Sequence, residues 1–229
     1  MKIYLIPGLG YDHRIFEKMD LNEFETEYID WIEPEYGENL HGYSTRLFSG
    51  IETDKERIIL IGHSLGGMVA QEIAAVKNID KIILISSIRS RKELPFHFRI
   101  IKPLFIYKLF TKTLTLKSFQ FWAKRHGFET KEEKELFKSM VSGRSNTYLK
   151  WALKELSTWK VPGVPSNTAI FQIHGAKDKT FPIDLINEPD ITIENGDHFM
   201  VYKKSDQLTK ILIDEIKSIE NSIKASSQY

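Results

Sequence analysis

Three residues of this chain are of types that together perform acyl transfer: Ser64, Asp178 and His198. The serine is the best framed. Arg57-Ile58-Ile59-Leu60-Ile61 runs directly into Gly62-His63-Ser64-Leu65-Gly66, and Gly67-Met68-Val69-Ala70 follows. Consecutive aliphatics read as a buried parallel strand, and the run after the glycines reads as a helix. A strand that bends into a helix at Gly-x-Ser-x-Gly places the serine on a strained turn with its hydroxyl above the sheet. Glycines flank it because side chains there would collide across the bend. The first N–H groups of the helix point at whatever binds there.

A serine hydroxyl is a poor nucleophile near neutral pH. It needs a base, and the base needs a carboxylate to fix its tautomer and stabilise its cation. His198, in Glu194-Asn195-Gly196-Asp197-His198-Phe199, follows the last strand and a glycine turn, where such a base belongs. Asp178, in Gly175-Ala176-Lys177-Asp178, sits in the turn after the preceding strand. Asp184 and Asp190 compete for this role but lie further from the strand's end. Asp197, adjacent to His198, points elsewhere and reads as loop structure. The chemistry also needs donors for a developing oxyanion. Leu65 N–H, just after the serine, is the first. Leu9 N–H, in the turn Pro7-Gly8-Leu9-Gly10, is the second. The other histidines carry no motif. His63 should point away from Ser64, His174 should pack at a strand end, and His13, His41, His97 and His126 stand alone. No histidine pair has metal-ligand spacing beside a glutamate, so neither a metal nor a cofactor is expected.

The elements that must position these groups alternate. Strands are expected at 2–6, 28–31, 58–61, 81–86, 169–173 and 191–193. Helices are expected at 12–19, 39–51, 65–77 and 205–223, the last with Leu208, Ile211, Leu212, Ile216 and Ile219 on one face. This alternation predicts an α/β fold with a doubly wound, mainly parallel sheet covered on both faces. It stops between residues 88 and 160, where amphipathic helical patterns such as 100–110 and 131–141 are broken by Pro95, Pro103, Gly127 and Gly143. The chain therefore reads as a core of 1–87 and 161–229 with a helical cap inserted at 88–160.

The chain has 229 residues and no cysteine, which removes disulfides and thiolate chemistry. Its 32 basic and 31 acidic residues give no overall attraction to nucleic acid. No apolar run reaches the ~18 residues that span a bilayer, and no signal-peptide pattern opens the sequence, so a cytoplasmic location is expected.

These residues resemble the α/β-hydrolase superfamily, whose nucleophile–acid–histidine order is the order found here. The resemblance covers nearly everything outside 88–160 and is similar in look to small bacterial hydrolases. It implies a six-stranded sheet in the order 2-1-3-4-5-6. Two features depart from the family pattern. The chain begins at what is usually the third strand, and Pro7 stands where many members have histidine. The resemblance implies a serine hydrolase cleaving a small or medium acyl ester or thioester, with Ser64, His198 and Asp178 as the triad and the Leu9 and Leu65 amides as the oxyanion hole. The rival readings are a C–C bond hydrolase or lyase-like enzyme on the same triad, and a small-molecule-binding protein on a hydrolase scaffold.

From Arg89 to Arg125 there are ten Lys/Arg against one acidic residue, Glu93, interleaved with eight aromatics. Three readings fit: a solvated basic face over an aromatic core, an entrance for an anionic acyl substrate, or weak attachment to an anionic membrane surface. The entrance makes a kinetic demand, because exposed charges are screened within about 8–10 Å at ~0.1–0.15 M salt. Steady-state kinetics should show kcat/KM for an anionic ester falling as salt rises, while a neutral ester of equal size barely responds.

Overall fold

The computed structural model describes residues 1–52 and 56–226. Six strands, β1 (Lys2–Ile6), β2 (Glu25–Tyr28), β3 (Ile58–His63), β4 (Lys81–Ile85), β5 (Ala169–Gly175) and β6 (Ile191–Ile193), form one sheet in the order β2-β1-β3-β4-β5-β6. Every pairing is parallel. Because strand order reverses between β1 and β3, the loops leaving them diverge and open a crevice at their carboxyl ends. Ile6 pairs with Gly62, His63 with Ile85, and Gly175 with Ile193. That register brings the loops after β3, β5 and β6 to one edge of the sheet.

All six residues of β3 are buried, as its unbroken aliphatic run requires of a strand covered on both faces. Helix α1 (Leu40–Leu47) starts at Asn39, whose side chain accepts the Gly42 N–H at 2.8 Å. Helix α2 (Leu65–Ala74) is buried along its whole length. Between β4 and β5 lie α3 (Phe96–Arg99), α4 (Lys112–Lys117), α5 (Phe119–His126), α6 (Lys131–Ser142) and α7 (Asn146–Thr158). Thr130 and Glu133 cap α6 reciprocally, at 3.1 and 3.0 Å. After β6 come α8 (Met200–Lys203) and α9 (Ser205–Ser226), whose Leu208, Leu212 and Ile216 are fully buried. Among the described residues no helix is long and apolar enough to cross a membrane.

Three elements differ from the expectations. The helix expected at 12–19 is one 3-10 turn, His13–Phe16, capped by the Asp12 carboxylate. The second strand runs Glu25–Tyr28, ahead of the aromatic stretch 28–31, because its pairing with β1 begins at Lys2 opposite Glu25. Trp31 leaves the sheet and its indole N–H donates to the Gly8 carbonyl at 3.1 Å. The pattern at 100–110 does not form one helix. Pro103 disfavours helical geometry at Lys102, Phe105 adopts a left-handed φ of 53°, and only Ile106–Leu109 closes a short 3-10 turn. Nor are all the basic residues of this segment free surface charges. The Arg91 guanidinium donates to the Ser157 and Trp159 carbonyls, and Arg99 donates to those of Leu94, Arg91 and Lys92.

At the bend after β3 there is no room for side chains. A Cβ on Gly66 would stand 2.1 Å from the Ile6 carbonyl oxygen, and one on Gly62 2.5 Å from backbone atoms of Gly66 and Gly67. Backbone cannot yield as a flexible side chain can. Gly66→Ala should therefore cost about 2–4 kcal/mol. In a chain of this size that lowers Tm by roughly 5–15 °C, measured by thermal unfolding.

Candidate active site

Ser64 closes β3 and caps α2, yet its hydroxyl makes no capping bond. Its φ is 52°, a conformation that a non-glycine residue adopts only where the surroundings force it. The surrounding bonds are evident. Ser64 N–H donates to the Ile85 carbonyl at 3.0 Å, and the Ser64 carbonyl accepts from Gly67 N–H at 3.0 Å and from Ser87 Oγ at 2.6 Å. The hydroxyl is left to donate to His198 Nε2 at 3.1 Å. His198 Nδ1 in turn donates to Asp178 Oδ2 at 2.8 Å. The other carboxylate oxygen accepts Thr180 N–H at 2.7 Å and Phe181 N–H at 3.0 Å. Residues from three loops, 134 positions apart at the extreme, thus form one hydrogen-bonded line.

Asp184 lies in a 3-10 turn, Ile183–Leu185, and Asp190 accepts Gln172 N–H and pairs with Arg89; neither is bonded to His198. Asp197 accepts Phe199 N–H at 3.0 Å and Lys203 Nζ at 2.8 Å, so it shapes the loop that carries the histidine. Leu9 lines the cavity above Ser64. Leu65 is buried at the start of α2. Among the described residues neither amide donates a backbone hydrogen bond outside the regular elements.

Burial sets the electrostatics. Desolvation pushes the Asp178 carboxyl up to about 6, against the pull of His174 and of its two backbone donors. The same cause pushes His198 down to about 3, helped by the charges of His174 and Arg125. The state with Asp178 ionised and His198 neutral is half formed near pH 6 and predominates as the pH rises above it.

The structure adds residues that no motif marks. His126 packs its ring edge-to-face on His198 at 5.1 Å between centroids, and the Tyr11 hydroxyl bonds its Nδ1. The His126 carbonyl accepts Phe199 N–H at 3.1 Å, tying the end of α5 to the histidine loop. His63 turns away from the serine's hydroxyl and donates Nε2–H to the His198 carbonyl at 2.9 Å, supporting that loop from below. His174 donates to the Phe181 carbonyl at 2.8 Å and so holds the turn that bears Asp178. Ser87 and Trp31 brace the Ser64 and Gly8 carbonyls. Of these, His63 and His174 lie where the sequence expects them, turned from Ser64 and at a strand end, whereas Trp31 falls within the stretch expected as strand 28–31.

The cavity above Ser64 measures about 60 Å³ and is walled mainly by apolar groups, among them Phe98, Phe110, Trp122, Val141 and Leu149. Phe98, Phe110, Trp122 and Leu153 also line an adjoining apolar groove of about 420 Å³.

Residues 3–209 match the model of the Alpha/beta hydrolase family. The chain belongs to that family. Among solved structures it is similar to an esterase from Exiguobacterium antarcticum, at 17% identity and a TM-score of 0.74, covering 95% of this chain and 92% of that one. It is similar to a hydrolase from Oleispira antarctica, at 16% identity and a TM-score of 0.73, over 94% and 90%. A lipase-esterase related protein from Clostridium acetobutylicum gives 13% and 0.68, over 93% of each chain. At these identities the likeness speaks to fold. No curated protein matches the chain. Membership of an α/β-hydrolase family supports hydrolytic activity.

Two outcomes are expected from the electrostatics. Asp178→Asn leaves the imidazole in the wrong tautomer and should lower turnover by about 10³–10⁴-fold while the protein stays folded. In the wild type, kcat/KM should climb with pH through a limb near 6 and level off above it, since protonating Asp178 removes the partner of the imidazolium.

Proposed function

We propose that the protein is a serine hydrolase that cleaves a small or medium acyl ester or thioester through an acyl-enzyme on Ser64. The observation that carries this reading is the unbroken line from Ser64 Oγ to His198 to Asp178, at 3.1 and 2.8 Å, opening on an apolar cavity. Ser64 Oγ attacks the carbonyl carbon as His198 Nε2 takes its proton. The C–O or C–S bond to the leaving group then breaks, and His198 returns the proton to it. Water, deprotonated by the same nitrogen, adds to the acyl-enzyme and releases the acid and free Ser64. The Leu9 and Leu65 amides donate to the oxyanion in both halves. Asp178 orients His198 and stabilises its cation.

The helical segment 88–160 serves in this reading as the cap of the site. Its Phe98, Phe110, Trp122 and Val141 wall the cavity, and its adjoining groove extends the space for an acyl chain. About 60 Å³ holds a few waters or a short chain.

A fluorophosphonate probe should modify one residue, and peptide mapping should find it at Ser64. Ser64→Ala should remove activity on an ester and thioester panel by about 10⁴-fold or more, because the three residues act as a unit. Modification elsewhere, or an active preparation that resists the probe, would overturn the reading.

A further inference from the structure

Arg125 stands apart from every other side chain that lines the cavity above Ser64. Among the described residues lining the cavity it is the one that carries a full charge; the rest are apolar, hydroxyl-bearing or imidazole groups. It also lines the apolar groove, and on its other side a polar pocket shared with Asp178 and Asp197, so it stands where the apolar spaces meet polar surroundings. Among the described residues no carboxylate lies within ion-pair distance of it. Its guanidinium donates instead to His97 Nε2 at 2.6 Å, a neutral ring nitrogen. The buried Asp178 carboxylate attracts the guanidinium from beyond contact, and burial outweighs that attraction; a half-buried cation with no carboxylate in contact is a costly arrangement. Its place is also well defined. It occupies the last turn of α5 next to His126, which packs on His198 and is hydrogen-bonded to the loop carrying it.

We propose that Arg125 is the carboxylate-binding residue of this site and that the ester cleaved at Ser64 carries a carboxylate. The proposal rests on Ser64 being the nucleophile and names the substrate class of that same site. The planar guanidinium fork matches a planar carboxylate. One cation in a small, apolar cavity suits a single negative charge and leaves a phosphate dianion under-compensated. The arrangement also has a catalytic side. His198 must become a cation during acyl transfer, and the charge of Arg125 opposes this. A bound carboxylate cancels that opposition, so the correct substrate relieves the base as it docks. A neutral ester leaves Arg125 uncompensated beside the developing imidazolium.

The test compares matched esters. One pair, 4-nitrophenyl hydrogen glutarate and 4-nitrophenyl valerate, places the charge or its neutral counterpart on the acyl half. The other, the butyrate esters of 3-hydroxybenzoate and 3-hydroxybenzamide, places it on the leaving group. The wild type should favour the anionic member of at least one pair by roughly 10–100-fold in kcat/KM, the range expected of a charge-assisted hydrogen bond. Arg125→Gln should abolish the preference and raise kcat for the neutral ester. Arg125→Lys, which keeps the charge but not the fork, should retain part of the preference. Equal kcat/KM within both pairs in the wild type overturns the proposal without any variant, and so does a preference that survives Arg125→Gln. Glutarate binding, read as a thermal shift, separates this proposal from the reading of Ser64. A shift in the wild type that is lost in Arg125→Gln upholds the carboxylate site even if no ester turns over and no probe labels Ser64. Absence of a shift, with no ester preference, sinks it.

Discussion

A carboxylate sealed from water is the most demanding group in this molecule, and the architecture around the site follows from keeping Asp178 ionised. Its cost is high because the interior cannot solvate charge as water does. Two backbone N–H groups and the His198 ring share its negative charge. For those donors to converge, the turn after β5 must close tightly, which His174 secures from within the sheet by binding the Phe181 carbonyl. The loop after β6 must deliver His198 at a fixed height, which His63, the Asp197–Lys203 pair and the His126 carbonyl together secure. Removing any of these supports would let the carboxylate and imidazole drift apart, and each would then be a buried polar group without its partner.

The features legible in the sequence were those encoded locally. The aliphatic run and two glycines around Ser64 name a strand, a bend and a helix within a dozen residues. Asp178 and His198 were found because a turn after a strand is a local event, and the parallel sheet then brings such turns to one edge. Long-range groups were not legible. Tyr11, Ser87, Arg125 and His126 reach the site only through folding, and nothing in their neighbours' spacing announces it. The segment 100–110 shows a different limit: its helical hydrophobic period is genuine, but Pro103 breaks the backbone that would express it. At 25–31 two runs competed. The aromatic one had the better strand composition, while pairing with β1 selected Glu25–Tyr28.

The β2 edge of the sheet is guarded by charge. β2 is short and mostly exposed, and its Glu25 and Glu27 both lean on Lys2 of the neighbouring strand, at 3.4 and 2.6 Å. Charges on an edge strand discourage another strand from adding to it. Polar edge composition is also why this strand was the hardest of the six to place from the sequence.

The interposition of five helices between β4 and β5 bears on how the molecule comes into being. The bend that carries Ser64 and the amides beside it belong to the first third of the chain, whereas their partner histidine lies 134 residues downstream. Closing so long a loop comes late, because its entropy must be met before the contacts it enables. A chain emerging from the ribosome can assemble β1, β3 and β4 around the serine while the inserted helices and the last two strands are still being made. At that stage the hydroxyl has no base to take its proton. On the proposed reading of Ser64 as nucleophile, reactivity arrives with the C-terminal loops, and the nascent chain carries its serine in an inert form until the sheet is complete.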